Sequence, residues 1–514
     1  MEGDFGVNDL LIGLDLGTSA VKVGLFDTAG HLLRLVRREY PLYTPRPGWA
    51  EQEPQEWWEA TCAALREALA EVDSNQIAAV GLSGQTPGHV LVTADGTSLG
   101  RAIIWSDRRA TAEAAWLARR VTPQLAQDWT GYPFIAEVTQ PPARLLWLKA
   151  HRPDDWACCA AVVQPKDFIA LRLTGRIATD CHSSFCLFNP QTGRYHPEYL
   201  ELLGMEPDKM PPVLAPTEVV GRVKSEAAVE TGLPAGVPVV TGTIDAWCDI
   251  IGCGGIASGC AVDVAGTSEV VALVTDRPAE GEGVFSSPLL EGLYWVGGPM
   301  QTGGRALLWL ARGFYREEEA GFAQLEAEAA AVPPGAGGLL FLPYLRGERA
   351  PVWDEAAQGA FVGLTDRHTR AHCVRAVYEG VAFAVHHILS LAEEAAGLTA
   401  AELRVCGGGS RSRFWNQVKA NVSGKRVLES QVAETAVLGA AMWAAVSIGW
   451  YPDMETAAGR MVRVKAELPP DLSSRPCYDE LAALYRGLYP ALQETFARLD
   501  AWRGRYERES HAYP

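Results

Sequence analysis

The 11 cysteines of this chain include no C-x-x-C pair and its 10 histidines no H-E-x-x-H, and no cluster of metal ligands at zinc spacing is present. A structural or catalytic zinc site is therefore not expected. Cys158 and Cys159 are adjacent, and the N-terminus carries Glu2 and Asp4 where a targeting peptide would be basic. These features point to reduced thiols in a cytoplasmic protein without a leader. Long hydrophobic runs are missing too. The longest, VLGAAMWAAVSIGW (437–450), has 14 residues, short of the roughly 20 a membrane helix needs, and reads as a buried helix. Positive charge is in deficit: 45 Lys and Arg face 62 Asp and Glu, a net charge of −17. That argues against nucleic acid or an anionic membrane as the main partner, while a local basic cluster could still meet an anionic substrate.

What is present is an ordinary globular composition, 48% hydrophobic and 21% charged, rich in glycine at 51 residues, over a length of 514. One core does not serve such a length, so two domains are expected. LLIGLDL ends in Gly-Thr-Ser and is followed by the alternating AVKVGLFD, then by HLLRLVRREY: strand, tight turn, strand, strand. Trp58, Cys62, Leu65 and Leu69 recur at helical spacing, and IAAVGLSGQ (77–85) reads as a buried strand. Helices and strands alternate onward, an α/β pattern. The second half reopens in the same way. GCAVDVAGTSEVVALVTD (259–276) overlays the first hairpin when Gly266-Thr267-Ser268 is matched to Gly17-Thr18-Ser19, and Asp276 then matches Asp27. Two strands of one pattern in each half indicate duplicated domains, with the boundary near residues 234–254. IGCGGIASG (251–259) half-matches a dinucleotide fingerprint but reads as an interdomain turn. Residues 470–514 read as a closing amphipathic helix, apolar at Leu481, Leu484, Leu488 and Leu492 and kinked at Pro490.

Four features could carry chemistry. The two Gly-Thr-Ser turns (Gly17, Thr18 and Ser19; Gly266, Thr267 and Ser268) offer consecutive backbone N–H groups and hydroxyls suited to phosphate oxygens. Facing one another they would clamp a polyphosphate between domains, with Asp15 directed at Mg²⁺. The alternative for either turn is a plain hairpin, with Asp15 capping the first. The acid is not duplicated: Val264 stands where Asp15 does. In LRVCGGGSRSRFWNQVKANV (403–422) a strand runs through Gly407, Gly408, Gly409 and Ser410 into a helix starting at about Ser412. That turn would seat a flat ligand against backbone, or be only a tight structural turn. Asp245 follows an apolar strand and precedes an apolar helix, as a general base for a substrate hydroxyl or as an N-cap. Asp249, one turn on, is the weaker candidate base.

These residues resemble the FGGY family of carbohydrate kinases over roughly residues 10–450. LIGLDLGTSAVKVGLFD is similar to the family's first phosphate motif, VAGTSEVV to the second and CGGGSRS to its adenosine motif. GWAEQEPQEWW, VGLSGQTPG, IIWSDRRA, PKDFIALRLTG, PYLRGERAPVWD and GAFVGLTDRHTRAHCVRAVYEG follow in family order. The chain departs at Cys373, where an aliphatic residue is usual, and at Arg144, where Lys is common. The resemblance implies a duplicated ribonuclease H-like α/β fold of the actin/hexokinase type, with two domains and an interdomain cleft. The corresponding boundaries are a sugar-binding domain over 1–245, a nucleotide-binding domain over 246–470 and a helical extension over 471–514. It further implies Asp245 as catalytic base and Asp15 as the Mg²⁺ anchor. Gly17, Thr18, Ser19, Lys22, Gly266 and Thr267 would lie at the phosphates of ATP, and Gly304, Gly408, Gly409 and Ser412 along the nucleotide.

The sugar would be met by Gln85, Thr86, Pro87, Asp245 and Ala246. Xylulokinases typically carry Met-His after that Gln and Asn after the Asp, and glycerol kinases Arg-Glu and Gln; Thr86, Pro87 and Ala246 match neither. His89 could substitute as a polar reader or be structural, and Arg108 and Arg109 could meet a carboxylate or be exposed on a helix. The expected activity is ATP-dependent phosphorylation of a terminal hydroxyl of a small sugar, a pentulose first. A gluconokinase or another ketose or polyol kinase is the alternative, and an actin- or Hsp70-like ATPase the remote one. A homodimer would suit the family.

Overall fold

The computed structural model describes residues 9–133, 135–315 and 321–510, with side chains to 503. Glu2, Asp4 and the last four residues of the C-terminal extension lie outside them. The chain forms two compact units, Met1–Gly252 with Ala436–Val462, and Cys253–Thr435 with Arg463–Pro514.

The first unit is built on a six-stranded sheet: β1 (Leu10–Leu16), β2 (Ala20–Asp27), β3 (Leu32–Glu39), β4 (Ile77–Gly84), β5 (Val219–Arg222) and β6 (Pro238–Ile244), in the spatial order β5-β6-β4-β1-β2-β3. The strands β1, β2 and β3 run antiparallel, β1, β4 and β6 run parallel, and β5 closes the edge antiparallel to β6. All seven residues of β1 are buried, as a central strand covered on both faces requires. Helix α1 (Pro54–Leu69) covers one side with Trp57 and Trp58, both fully buried. Two more helices of this unit carry the argument below, α2 (Pro165–Thr174) and α3 (Asp245–Gly252), the second beginning directly at the end of β6.

The second unit repeats that sheet. Its strands are β7 (Ala261–Ala265), β8 (Glu269–Thr275), β9 (Phe285–Leu290), β10 (Leu293–Met300), β11 (Glu402–Cys406), β12 (Arg426–Ser430) and β13 (Val464–Leu468), in the order β9-β10-β8-β7-β11-β12-β13. Here too three antiparallel strands pass into parallel pairs β7/β11 and β11/β12 with an antiparallel edge, so β7, β8, β10, β11 and β12 answer to β1, β2, β3, β4 and β6. The hairpin overlay made from Gly17 and Gly266 thus extends to a whole sheet. This is the duplicated two-domain α/β architecture. Helices α4 (Arg305–Phe314), α5 (Arg370–Ala396) and α6 (Arg413–Ser423) pack within this unit.

The units do not follow the chain in two pieces. Helix α7 (Thr435–Ser447), the apolar run of the sequence, returns to the first unit. It meets the first sheet backbone to backbone: a Cβ on Gly13 would stand 1.8 Å from the Val437 carbonyl oxygen, and one on Gly81 1.9 Å from that of Ala440. Only glycine at both positions permits so close an approach. Conversely, α8 (Arg475–Ser510) is not a separate extension but part of the second core, through Tyr478, Ala482, Tyr485 and Phe496. Leu481, Leu488 and Leu492 only flank that core and Leu484 is exposed. The buried stripe is therefore offset from the leucine series toward the aromatics. The helix continues through Pro490 without a break.

Candidate functional site

In the first unit the chemistry gathers where β1, β4 and β6 end side by side. Asp15 pairs in register with Ser83 on β4 and with Lys22 on β2. Its buried carboxylate accepts from Ser83 Oγ at 2.9 Å, and Lys22 Nζ lies 3.3 Å from the other oxygen. Asp245, the first residue of α3, accepts the Ala246 N–H at 2.8 Å. Burial first, and then the Asp15 charge, push its carboxyl up to about 7, against the Ala246 N–H and Lys22, which pull it down. A carboxylate in that range exchanges its proton near neutral pH. Tyr40 belongs to the same group: burial, Asp15 and Asp245 together hold its phenol protonated well above the usual range.

The Gly17–Ser19 turn is gripped by side chains from elsewhere in the unit. Tyr40 Oη donates to the Gly17 carbonyl, which Gln85 Nε2 also reaches at 3.3 Å. Gln52 Nε2 donates to the Thr18 carbonyl at 2.7 Å and Gln52 Oε1 accepts from Gln85 Nε2 at 2.8 Å, while Trp105 Nε1 donates to Thr18 Oγ1 at 2.8 Å. Tyr40, Gln52 and Trp105 are not among the residues picked from sequence. Gln52 and Trp105 lie in the quoted segments GWAEQEPQEWW and IIWSDRRA, but nothing in local spacing shows which turn they reach. Gln85, expected at the sugar, is almost fully buried, its Nε2 shared between this turn and Gln52 and its Oε1 buried without a partner.

Behind Asp245 lies a buried ionic group. Lys166 of α2 stands 2.6 Å from Asp167 and 2.9 Å from Asp180, and Asp180 accepts from Thr243 Oγ1 at 2.8 Å, two residues before Asp245. The His182 ring packs against Trp247, two residues after it, at 5.7 Å between centroids. Residues 180–182 thus brace both flanks of the carboxylate, which sequence alone did not reveal.

The remaining sugar candidates divide. Thr86 Oγ1 is buried and without a partner, the Pro87 carbonyl accepts from Arg144 at 3.0 Å, and the Ala246 N–H is spent on Asp245. His89 is buried with neither ring nitrogen bonded, lining a small cavity with Gln164, Thr179, Ser184 and Tyr195. Burial holds its ring neutral. The expectation of Arg109 exposed on a helix is corrected: its guanidinium is buried, forked onto Asp107, 2.8 Å from Glu51, and set against the perpendicular rings of Trp49 and Trp147. The next helix starts only at Thr111. A group so fully engaged is a structural staple and no reader of a substrate carboxylate.

The second unit assembles the other candidates. Gly303 and Arg305 donate to the Thr267 carbonyl at 3.0 and 3.2 Å, and Gly304 to that of Gly266 at 2.9 Å. Ala265, at the end of β7, presses on the glycine turn: a Cβ on Gly407 or Gly409 would stand 2.7 or 3.0 Å from its atoms, while one on Gly408 would meet open space. Ser412 caps α6, its Oγ accepting the Trp415 N–H at 3.0 Å. Gly266, Thr267, Gly304, Gly408, Gly409 and Ser412 therefore line one region of a single unit. Among the described residues no trio of His, Cys, Asp or Glu forms a metal cluster, no cysteine is in a disulfide, and no helix is long and apolar enough to cross a membrane.

Comparison with known proteins bears on the family and the fold. The N-terminal domain model of the FGGY family of carbohydrate kinases matches residues 10–252 and its C-terminal domain model residues 261–448. A xylulose kinase of Bacillus subtilis is 31% identical over 96% of this chain and 99% of its own length. Two solved structures from Lactobacillus acidophilus, a gluconate kinase and a ligand-bound xylulose kinase, superpose with TM-scores of 0.87 and 0.86. Each is 27% identical and covers 95% of this chain and 99% of its own. Two matched domain models, a relative matched along nearly its whole length and a repeated sheet lead to one assignment: the chain belongs to the FGGY family of carbohydrate kinases.

Proposed function

We propose that the protein transfers the γ-phosphoryl group of ATP to a terminal hydroxyl of a pentulose, with Asp245 as the base. The observation that carries this reading is Asp245 itself, a carboxyl pushed up to about 7 at the end of β6 beside Asp15 and the Gly17–Ser19 turn. The substrate hydroxyl gives its proton to Asp245 as its oxygen attacks the γ-phosphorus in line, and ADP leaves with the electrons of the broken P–O bond. The amides of Thr18 and Ser19, the Thr267 turn and Lys22 offset charge on the phosphate oxygens. Gly304, Gly408, Gly409 and Ser412 line the rest of the nucleotide. The residues fit Mg²⁺: two neighbouring carboxylates, Asp15 and Asp245, repel one another, and Asp15 would hold the cation next to the phosphates. When bound it supplies neutralising charge.

A pentulose is preferred because of the xylulose kinase relatives and because Arg109, one of the two arginines considered for a gluconate carboxylate, is fully engaged. The gluconate kinase structure keeps gluconate as the second reading. ADP release with Mg-ATP and a panel of D-xylulose, D-ribulose, L-xylulose, D-gluconate and glycerol tests both. Strong turnover with no sugar would overturn either and favour an actin-like ATPase. A cytoplasmic homodimer is part of the proposal, checked by sedimentation.

A further inference from the structure

Lys419, on α6, carries an ammonium group that is almost completely buried, and its partners are two carboxylates buried as deeply. Nζ stands 2.5 Å from Asp263 Oδ2 and 3.3 Å from Glu269 Oε2. Asp263 lies on β7, and Glu269 opens β8 immediately after Ser268, so the two acids flank the Gly266–Ser268 turn. The same Glu269 side chain fills the space beside Gly303: a Cβ there would stand 2.4 Å from Glu269 Cγ. Gly303 and Gly304 in turn donate to the Thr267 and Gly266 carbonyls. Lys419 itself belongs to the helix that the Gly407–Ser412 turn starts, and that turn rests on Ala265. All three nucleotide segments of the second unit therefore join at one ammonium group. Burying three charges is costly, and an apolar trio of like volume would hold the fold at least as well. Its presence at the junction of these three segments calls for a role other than cohesion. Burial, with Asp263 beside it, holds the Glu269 carboxyl well above the usual range, which favours one shared proton and a neutral trio.

We infer that Lys419 is a positioning residue for the nucleotide: pinned between Asp263 and Glu269, it fixes the Gly266–Ser268 turn, the Gly303–Gly304 corner and the Gly407–Ser412 turn in the one arrangement that binds ATP. This rests on the kinase reading above. A charged group with directional partners sets a geometry that apolar packing leaves loose.

The test compares two variants of the full-length protein. Lys419→Met, which strands two acids, should lower the melting temperature and raise KM for ATP at least tenfold, with KM for the accepted sugar within twofold of wild type. Replacing the whole trio with apolar residues (Asp263→Val, Glu269→Met and Lys419→Met together) should restore the melting temperature while KM for ATP stays at least tenfold raised. This second variant decides the matter even where the single one does not fold. Recovery of both quantities together would show cohesion alone and overturn the inference, as would equal rises in KM for ATP and sugar. Failure of the wild-type protein to bind ATP at all would overturn the nucleotide reading, and this inference with it.

Discussion

The two Gly-Thr-Ser turns sit at equivalent places in equivalent sheets, yet they are held by different means. In the first unit the carbonyls of Gly17 and Thr18 are taken by side chains, Tyr40, Gln52 and Gln85. In the second the carbonyls of Gly266 and Thr267 are taken by backbone N–H groups of Gly303, Gly304 and Arg305. Charge is divided just as unevenly. The first turn has Asp15 in front of it and Asp245 nearby, whereas the second has Val264 at the matching position and its acids, Asp263 and Glu269, turned inward onto Lys419. Duplication copied the frame and not its chemistry. Under the proposed mechanism the unit with carboxylates at its turn takes the proton and anchors the cation, and the unit with neutral donors there holds phosphate alone.

That contrast can be broken at four points, in falling order of effect. Asp245→Asn removes the base from the acidic side and should lower kcat by about 10³-fold, with ATP affinity by calorimetry within twofold; near-normal turnover would refute the base. Asp15→Asn should lower kcat by about 10²-fold and shift what remains toward acid. Asp245 must be ionised to act, so activity of the wild type should rise with pH through about 7. Removing the Asp15 charge lets Asp245 ionise at lower pH, so the acid limb of the kcat/KM profile should move down; an unmoved limb would contradict the pairing. Val264→Asp gives the second turn the acid it lacks and should weaken ATP binding about tenfold, roughly 1.4 kcal/mol, through repulsion of phosphate. Unchanged or tighter binding would mean that the asymmetry has no electrostatic purpose. Tyr40→Phe deletes one donor to the first turn and should raise KM for ATP about fivefold, ~1 kcal/mol, an effect that Gln85 on the same carbonyl keeps small.

Much of this was legible in the sequence, since a turn between two strands and an acid at a strand end are local facts. Gly17, Gly266, Asp15, Asp245 and the Gly407–Ser412 turn all fall where their neighbours put them. What was illegible is what arrives from far along the chain. Trp105 reaches Thr18 across 87 residues, and Lys419 reaches Asp263 across 156. No periodicity encodes such a meeting. Arg109 shows the same limit from the other side: a charged residue next to an arginine reads as exposed until Trp49 and Trp147 are known to enclose it. The leucines of α8 mislead because Tyr478, Tyr485 and Phe496 bury more surface per residue and set the stripe.

Helix α7 carries one more consequence, for the order of events on the ribosome. It seals the sheet face that Gly13 and Gly81 leave bare of side chains, but it spans Thr435–Ser447. The first unit must therefore wait, unsealed, while the entire intervening 253–435 segment is made. The second unit is completed later still, since β13 and α8 follow α7 in the chain, and a nascent chain stalled before residue 435 would present an open apolar face to chaperones.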